Sequence, residues 1–518
     1  GDFHVNAVGY TTPANREANL QLVEDTFKKA RGHVDFFPIA YYAFIKNFIN
    51  GLTIESEGHD PSFDRHWEII RDLVKRYNEP GKFITFMGYE WHGDRYTYGD
   101  HNVFYLDPDD AILTDAESVP DLYKILREHQ GIAIPHHTAY KPGARSKDWR
   151  YMDEQLSPLV EIFSVHGSSE GCLTPVPMET NLSMGPRVQS TSVQEGLKKG
   201  YHFGIIASAD TSAPMVGTWG VGLAAVCAES LTREGIWEAV KNRRTYGVTG
   251  DRIVLDYRLN NHFMGSIIEK PAKSARIKVN VSGSSATDRI EVIKNGRVAH
   301  TYCHQGTWEE NCPEGRIKFK HRFTVGWGPV NFGAYTKKWS GSYQIENGQI
   351  LSVEPCFTTN NQSYAYEGDT CTFSLNSEHR RMTDFGMSRG NTQALVIEGE
   401  ASPDDRILIN IEGKQLVYDI RTLLEQSYIE PLIEESKKRI QEVFELGEAV
   451  NITEDVCYHN AYKVKIHRLI PEQGYKASFA WTDRNLSTEE NYYYIRVSQA
   501  NRQYAWSSPI WLKGAGPG

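Results

Sequence analysis

Several sequence features are absent, and each absence removes a class of protein. The chain has 518 residues, a net charge of -10 and no long block of Lys or Arg, so nothing in its charge predicts a nucleic-acid partner. No run of about 18 apolar residues occurs, which predicts that no segment spans a membrane. The chain starts at Gly1 without a signal-peptide pattern. We therefore expect a soluble protein, cytoplasmic or periplasmic/secreted, with any targeting sequence absent from this chain.

C-x-x-C pairs are also missing. The seven cysteines are scattered, so they predict neither a zinc ribbon nor a redox motif. Cys303 with Cys312, and Cys356 with Cys371, are close enough in sequence for loop disulfides in an oxidising compartment. The odd count leaves at least one thiol unpaired. The sequence leaves open whether any disulfide forms.

Residues 1–250 alternate between apolar strands and amphipathic helices. SFDRHWEIIRDLVKRYN predicts a helix with Trp67, Ile70 and Val74 on one stripe, and FITFMGYE predicts a buried strand after it. SVPDLYKILREHQG predicts a helix capped by Ser118 that leads directly into the strand GIAIPHH. This βαβαβ order favours parallel strands with right-handed crossovers.

Beyond residue 250 the pattern changes to short alternating strands. They occur in 251–303 and again in 476–518, and together they predict a β-sandwich domain. Residues 304–475 are predicted to form a large insertion with strands and one long helix. The chain is thus expected to hold three units, of which 1–250 is a barrel-like α/β unit.

Five residues of metal-binding type each fall where an apolar strand ends. They are His4, Glu90, His136, His166 and Asp210. Because the strands of a barrel-like α/β enzyme end at one rim, we expect these side chains to converge. Imidazole and carboxylate ligands suit Zn, Mn or Fe better than Ca or Mg, and Glu90 could bridge two ions. The prediction is a site for one or two divalent metal ions.

Catalytic roles are predicted within and beside this set. Glu90 and Asp210 could act as ligands and also handle protons. His137 either takes part in catalysis or orients His136 without binding the metal itself. His101 begins an apolar strand and is a further catalytic candidate.

Substrate-binding candidates lie at neighbouring positions. Tyr41 and Tyr42 end a strand, where such a pair either packs in the core or lines the pocket, and His92 follows the Glu90 strand. Lys141 and Arg145 belong to the basic loop AYKPGARSKDWR. That loop is either a solvated face or a recognition element for an anionic group, for which the Arg fork is well suited.

Several segments resemble the PHP (polymerase and histidinol phosphatase) superfamily of metal-dependent hydrolases. They are GDFHVN, GYEW, IPHH, EIFSVHG and IIASAD. Three other segments look more like its DUF3604 branch, which includes carbaryl-hydrolase-like enzymes: GYEWHGDRYTYGDHNVFY, RRTYGVTGDRI and YYYIRVSQANRQYAWSSPIW. The resemblance covers residues 1–302 and the C-terminal strands. It implies an α/β fold, a PHP-like distorted (β/α)7-type barrel followed by a β-sandwich domain that carries the large mixed insertion.

The chain departs from the superfamily's ligand pattern at three places. The second His of its HxH motif is Asn6, its Asp-His pair falls on Tyr41 and Tyr42, and its closing His falls on Ser212. The residues that would form the superfamily's third metal site are therefore absent from this chain. The resemblance implies one complete metal site, which consists of Glu90, His136 and His166. It also implies a weakened second site, which consists of His4, Asn6, Glu90 and Asp210.

The leading expectation is a hydrolase that uses metal-activated water to cleave an ester, amide or carbamate bond of a small molecule. The substrate carries an anionic group if the basic loop takes part in recognition. Asp210 would ligate the metal or take the proton, and a neighbouring histidine would protonate the leaving group. Two alternatives stay open: a phosphoesterase of the PHP type, and a degenerate, non-catalytic carbohydrate-binding module. No membrane partner is expected, and the oligomeric state is open.

Overall fold

A computed structural model describes most of the chain. The described residues are 3–5, 23–42, 47–49, 52–54, 61–114, 116–180, 183–210, 216–304, 315–326, 335–379, 392–445 and 462–515. No helix within these segments has the length and hydropathy needed to cross a bilayer. Cys356 and Cys371 are free thiols, so the disulfide considered between them is not formed. Cys312 lies outside the described residues.

The first part of the chain alternates strands with helices. Its elements are β1 (Phe3–Val5), α1 (23–30), β2 (Phe36–Tyr41), β3 (Asn47–Ile49), β4 (Leu52–Ile54), α2 (Pro61–Tyr77), β5 (Ile84–Trp91), α3 (Arg95–Tyr98), β6 (His101–Tyr105), α4 (Val119–Glu128), β7 (Gly131–Pro135), β8 (Leu159–Ser164), β9 (Gly167–Ser168), α5 (Val193–Lys198), β10 (Gly204–Ala207) and α6 (Arg233–Lys241). The stripe of Trp67, Ile70 and Val74 on α2 is buried, as predicted.

The first sheet has five strands in the order β1-β2-β5-β6-β7. β1, β2 and β5 are parallel, and all eight residues of β5 are buried. A strand that is buried on both faces needs a continuous apolar sequence, which ITFMGYEW largely provides. Glu90, which carries the one carboxylate of this strand, is therefore held inside the fold.

The predicted (β/α)7-type barrel is wrong. β6 lies between β5 and β7 and runs antiparallel to both. The connection between β5 and β6, residues 92–100, is shorter than the dozen or so residues that a parallel crossover needs. β8, β9 and β10 form a separate three-stranded sheet. Within the described segments the strands form several separate sheets rather than a closed barrel, and the protein is mostly β.

The rest of the chain is dominated by strands. Its elements are β11 (Leu223–Val226), β12 (Thr245–Val248), β13 (Val254–Leu259), β14 (His262–Phe263), β15 (Ile267–Ala272), β16 (Ala275–Ser282), β17 (Thr287–Lys294), β18 (Arg297–Cys303), β19 (Ile317–Gly326), β20 (Tyr335–Ile345), β21 (Gln349–Cys356), β22 (Ser363–Glu367), β23 (Thr370–His379), β24 (Thr392–Ala401), β25 (Arg406–Ile411), β26 (Lys414–Asp419), α7 (Ile420–Glu425), β27 (Tyr428–Pro431), α8 (Ile433–Phe444), β28 (Lys463–Ile466), β29 (Ile470–Pro471), α9 (Glu472–Tyr475), β30 (Lys476–Asp483), β31 (Glu490–Gln499), β32 (Tyr504–Ser507) and β33 (Ile510–Gly514).

Two sheets pack around one shared core. Their strands come from the parts of the chain before residue 304 and after residue 475. An eight-stranded sheet contains β11-β12-β32-β31-β17-β18 with β15 and β33, and a four-stranded sheet has the order β14-β13-β16-β30. Alternate residues of both sheets, among them Tyr257, Val279, Val292 and Val497, form one buried cluster. β11 and β12 belong to this larger sheet although they precede residue 250. The predicted domain boundaries stay a prediction.

The described strands from β19 to β29 form two further sheets around a core of their own, apart from β30 and the later strands. One has the order β21-β24-β19-β28-β27 with β29 added to β19, and the other has the order β22-β23-β20-β25-β26. Phe323, Trp339, Leu375, Ile397 and Ile409 are buried between them. Because every second residue of β19 enters this core, the alternate residues of β19 face away from it.

Candidate metal site

Strand ends bring four of the predicted metal ligands together. Glu90 is the penultimate residue of β5, and His136 directly follows β7. His166 and Asp210 follow β8 and β10, which are parallel neighbours. All four side chains are buried. The fold therefore concentrates two imidazoles and two carboxylates in a region shielded from water.

The backbone around these side chains adopts an uncommon conformation. His137 has φ 32°, Asp210 has φ 46° and Arg145 has φ 66°, all in the left-handed region. For residues other than Gly this conformation costs of order 1–3 kcal/mol each, and it persists only where the surrounding structure imposes it. The strain lies at residues that direct side chains towards this cluster.

His136 lies between the two carboxylates. Its Nε2 is 3.4 Å from Glu90 Oε1 and 3.6 Å from Asp210 Oδ1. His166 Nε2 is 3.2 Å from Asp210 Oδ2. Glu90, His136 and His166 were predicted to form one complete metal site. In the structure His136 lies beside Glu90, whereas His166 lies beside Asp210.

Each of these pairwise separations fits two ligands of one cation. Two ligands bonded at about 2.1 Å to a tetrahedral ion lie about 3.4 Å apart. Neutral imidazole combined with carboxylate is the donor chemistry that Zn, Mn and Fe accept. Three overlapping trios in this region have donor atoms within 4.8 Å of one another: Asp100, His136 and His137; His137, His166 and Asp210; and Glu90, His92 and Asp100.

The imidazoles of His136, His137 and His166 differ in charge. Burial lowers the pKa of His136, but the Asp210 and Glu90 carboxylates outweigh burial and raise it to about 10. Burial, together with Arg145 and His136, holds the pKa of His166 well below its usual range. Burial and His136 lower the pKa of His137 to about 3. His137 and His166 are therefore neutral at pH 7, which is the form that binds a metal, while His136 holds a positive charge between two carboxylates.

Asp100 is a central residue that the sequence reasoning missed. Its Oδ1 accepts a hydrogen bond from Arg95 Nε at 2.7 Å, its Oδ2 accepts one from Arg145 Nε at 2.6 Å, and His137 Nε2 is 3.3 Å away. Burial raises the pKa of Asp100, but the two guanidinium groups outweigh burial and hold it well below its usual range. Its only sequence signal is its place directly before His101 at the start of β6.

Two further residues orient the cluster from outside. Tyr140 Oη and His166 Nδ1 are hydrogen-bonded at 2.7 Å, which fixes the His166 ring with Nε2 towards Asp210. Glu161 accepts a hydrogen bond from the backbone N–H of His137 at 3.0 Å and another from Ser208 Oγ. Neither residue was predicted, because both act through contacts with segments that are distant in sequence.

His101 lies beside a buried lysine. Its Nδ1 is 3.2 Å from Gly99 O and its Nε2 is 3.2 Å from Lys147 Nζ. Burial and Lys147 hold the pKa of His101 well below its usual range. Burial also lowers the pKa of Lys147 to about 7. The catalytic role of His101 stays a prediction, and its two ring nitrogens contact the Gly99 carbonyl oxygen and Lys147 Nζ.

Of the two neighbouring tyrosines, Tyr41 lies in the core and Tyr42 lies beside the site. Tyr41 is buried and hydrogen-bonds His66 Nδ1 at 3.0 Å, as in the core-packing alternative. The Tyr42 ring packs edge-on against His92 with ring centroids 4.5 Å apart. His92 Nε2 is in turn 2.7 Å from Glu90 Oε1. Burial and the Glu90 carboxylate raise the pKa of Tyr42 to about 12, so its hydroxyl stays protonated.

The remaining predicted residues lie further out or beyond the described residues. Lys141 is exposed. The backbone of His4 lies in β1, opposite Ala40 of β2, and its side chain is outside what the structure describes. Asn6 and Ser212 are also outside the described residues. The weakened second site predicted from His4 and Asn6 stays a prediction.

Part of the chain is similar to a family that has no assigned activity. Residues 11–175 and 189–278 match the family described as "Protein of unknown function (DUF3604)". An uncharacterized protein of Chlamydia pneumoniae is 30% identical over 257 residues, which cover 46% of this chain and 40% of that protein. An uncharacterized protein of Chlamydia muridarum is 25% identical over 258 residues, or 46% of this chain and 41% of the relative. The match thus spans less than half the length of these relatives. No solved structure matches the chain.

Proposed function

We propose that this protein is a metal-dependent hydrolase of the PHP type that cleaves an ester, amide or carbamate bond in a small molecule. The observation that carries the proposal is the spacing of 3.2–3.6 Å between the imidazoles of His136 and His166 and the carboxylates of Glu90 and Asp210. The resemblance of the strand-end segments to PHP hydrolases supports the same reading. The DUF3604 match includes all four residues.

The side chains have separable roles in this proposal. A divalent ion held here would lower the pKa of a bound water and polarise the scissile bond. His166 and Asp210 would hold the ion, and Tyr140 keeps the His166 ring in place. Glu90, buried beside His136 and His92, would hold the ion or accept the proton of the attacking water. Burial of all these groups excludes bulk water and strengthens their electrostatic effect.

The charges around Asp100 favour a carbonyl substrate over a phosphate dianion. Arg95 and Arg145 both donate to Asp100, so much of the cationic charge beside the cluster is already compensated. One observation favours the phosphoesterase as the second candidate. The Arg145 side chain keeps 24% exposure, and its Nη2 is 3.9 Å from Glu90 Oε1, within reach of a phosphoryl oxygen bound there.

A substrate screen tests the proposal. Chelated protein reloaded with Zn, Mn or Fe is assayed with nitrophenyl acetate, a nitrophenyl carbamate and nitrophenyl phosphate. We expect hydrolysis of the ester or carbamate, and a loss of more than about 100-fold in kcat/KM for His166→Ala, because loss of a supporting residue alone costs 10- to 100-fold. The matched control is His262→Ala, which removes an exposed imidazole on β14.

The outcomes separate the candidates. Metal-dependent activity on the phosphate alone would replace the carbonyl hydrolase with the phosphoesterase. Metal bound at the site without activity on any of the three substrates would leave a binding protein. Activity that persists in His166→Ala at the level of His262→Ala would contradict the proposed site.

A further inference from the structure

A second cleft lies away from the candidate metal ligands. It has a volume of about 510 Å³ and lies between the outer face of the β19-β24-β28 sheet and loops of the eight-stranded sheet. Ser284, Ser285 and Asn501 line it from the eight-stranded sheet's loops, and Trp219 lines it from the segment before β11. Three parts of the chain therefore form one concave surface.

The lining of this cleft is basic. Lys320 and Arg322 alternate with core residues on β19, Lys465 lies on β28 beside Thr324 of β19, and Arg468 follows β28. No acidic side chain is among the described residues that line the cleft, although the chain has a net charge of -10. Two carboxylates lie behind the lining: Asp251 accepts hydrogen bonds from Trp219, Arg322 and Asn501, and Glu354 accepts one from Ser284. The positive potential of this concave surface therefore comes from Lys320, Lys465 and Arg468.

Internal contacts fix two of the cations. Arg322 Nη2 donates to Asp251 Oδ1 at 2.5 Å, and its guanidinium lies 5.3 Å from the centroid of the Trp219 ring. Lys320 Nζ donates to the carbonyl oxygen of Gly283 at 2.9 Å. The Arg322 charge is thus compensated by a carboxylate, whereas Lys320 is held by a neutral group and keeps its full charge. The cleft is preorganised with excess positive charge.

A neutral histidine completes the lining. His467 Nε2 is 3.0 Å from Thr324 Oγ1. Burial, followed by the charges of Lys465 and Arg322, lowers the pKa of His467 to about 2. Burial is the largest cause of this shift, and the neighbouring cations add to it. An anion in the cleft would offset it.

We propose that this cleft binds a small molecule through an oxyanion group, either phosphate, sulfate or carboxylate. Lys320, Lys465 and Arg468 supply charge-assisted donors, and the Ser427 hydroxyl, which accepts from the backbone N–H of Arg468, supplies a neutral one. The volume admits a ligand larger than a bare ion, so the oxyanion anchors a polar body that also contacts Trp219. This site is independent of the hydrolase proposal, since the two share no residue.

Isothermal titration with inorganic phosphate, inorganic sulfate and citrate tests the cleft. The protein is the full chain, chelated and carrying His166→Ala, so that the metal region does not contribute. We expect saturable binding of one equivalent of at least one probe. In Lys465→Gln and in Arg468→Gln its Kd should rise about tenfold or more, because each change removes a charge-assisted contact.

Lys278→Gln is the matched control. It removes the same charge from an exposed position on β16. Its Kd should stay within about twofold of the unchanged protein, since a distant exposed charge is screened by salt. The probe that binds tightest identifies the oxyanion. If no probe saturates, or if Lys465→Gln and Arg468→Gln match Lys278→Gln, the proposal is wrong. Thermal unfolding of each variant checks folding, and either of the two cleft variants that folds suffices for the test.

Discussion

Two buried polar clusters of this protein are built differently. The first, the ligand cluster, consists of Glu90, His136, His166 and Asp210. The second, the Glu170 cluster, joins β9 and its following loop to the eight-stranded sheet and consists of Glu170, Glu291, Tyr494, Arg496 and Trp506. Both contain two carboxylates and nitrogen-bearing partners, and both are largely inaccessible to water.

In the Glu170 cluster each donor meets an acceptor. Glu170 Oε1 accepts from Tyr494 Oη and from Arg496 Nη1, both at 2.7 Å, and its Oε2 accepts from Trp506 Nε1 at 2.9 Å. Arg496 Nε donates to Glu291 at 2.8 Å. Such a network satisfies its own charges, so its role is to hold the strands together.

In the ligand cluster the same kinds of atoms stand further apart. The ring nitrogens of His136 and His166 lie 3.2–3.6 Å from the carboxylate oxygens, and the backbone of Asp210 is in the left-handed region. The Glu170 cluster pairs its carboxylates with Arg, Tyr and Trp, which are not common metal ligands, whereas the ligand cluster pairs them with imidazoles. Burial of charge alone therefore does not identify a site; the donor types do.

The largest effect is expected from the Glu170 cluster. Glu170→Ala leaves Arg496 buried with only one carboxylate and should lower the free energy of unfolding by about 3–5 kcal/mol. Urea unfolding followed by circular dichroism measures it, with the exposed Glu229→Ala as control. A loss below about 1 kcal/mol would contradict the structural role of the Glu170 cluster.

Metal removal should affect stability through the ligand cluster only. Chelation of protein that held metal at about 100 times its Kd should lower the free energy of unfolding by about 2.7 kcal/mol. The melting temperature before and after reloading with Zn or Mn reports the shift. His262→Ala should retain the shift and His166→Ala should lose it. Equal shifts in both variants would place the metal elsewhere.

A smaller effect is expected from the tyrosine behind His166. Tyr140→Phe removes the 2.7 Å hydrogen bond to His166 Nδ1 and should weaken metal binding about 10- to 100-fold. Competition with a chromogenic chelator measures the Kd. The control Tyr366→Phe removes an exposed hydroxyl and should leave the Kd unchanged. An unchanged Kd in Tyr140→Phe would show that this contact does not orient a ligand.

The smallest expected effect is on the stability of the metal-free protein. Asp210→Asn should change the free energy of unfolding by about 1 kcal/mol or less, because Asn tolerates the left-handed backbone and Glu90 still compensates His136. The same variant should lose the metal-dependent shift in melting temperature. A loss as large as that of Glu170→Ala would mean that the ligand cluster is structural too.

Local features were predictable where they depend on neighbours in sequence. The apolar stripe of α2 is buried, and the Ser118 hydroxyl accepts from the N–H of Asp121 as a helix cap. The strand-end positions of His136 and Glu90 were visible for the same reason: an apolar run ends at a polar side chain. These signals lie within a few residues of each other.

Features that depend on pairing between distant strands could not be predicted. The barrel was expected because strands and helices alternate, but the short connection into β6 reverses that strand. Asp100 and Tyr140 gain their roles from Arg145 and His166, which lie 45 and 26 residues away in sequence. No pattern within one segment encodes such contacts.

The most direct test of the account is the metal content of the purified protein. Protein prepared without chelator is analysed by inductively coupled plasma mass spectrometry, alongside a His136→Ala/His166→Ala double variant and Glu170→Ala. We expect one to two equivalents of Zn, Mn or Fe in the unchanged protein and in folded Glu170→Ala, and loss of metal in the double variant. Unchanged protein that stays free of metal after reconstitution, or a double variant that retains it, would contradict the assignment of the ligand cluster.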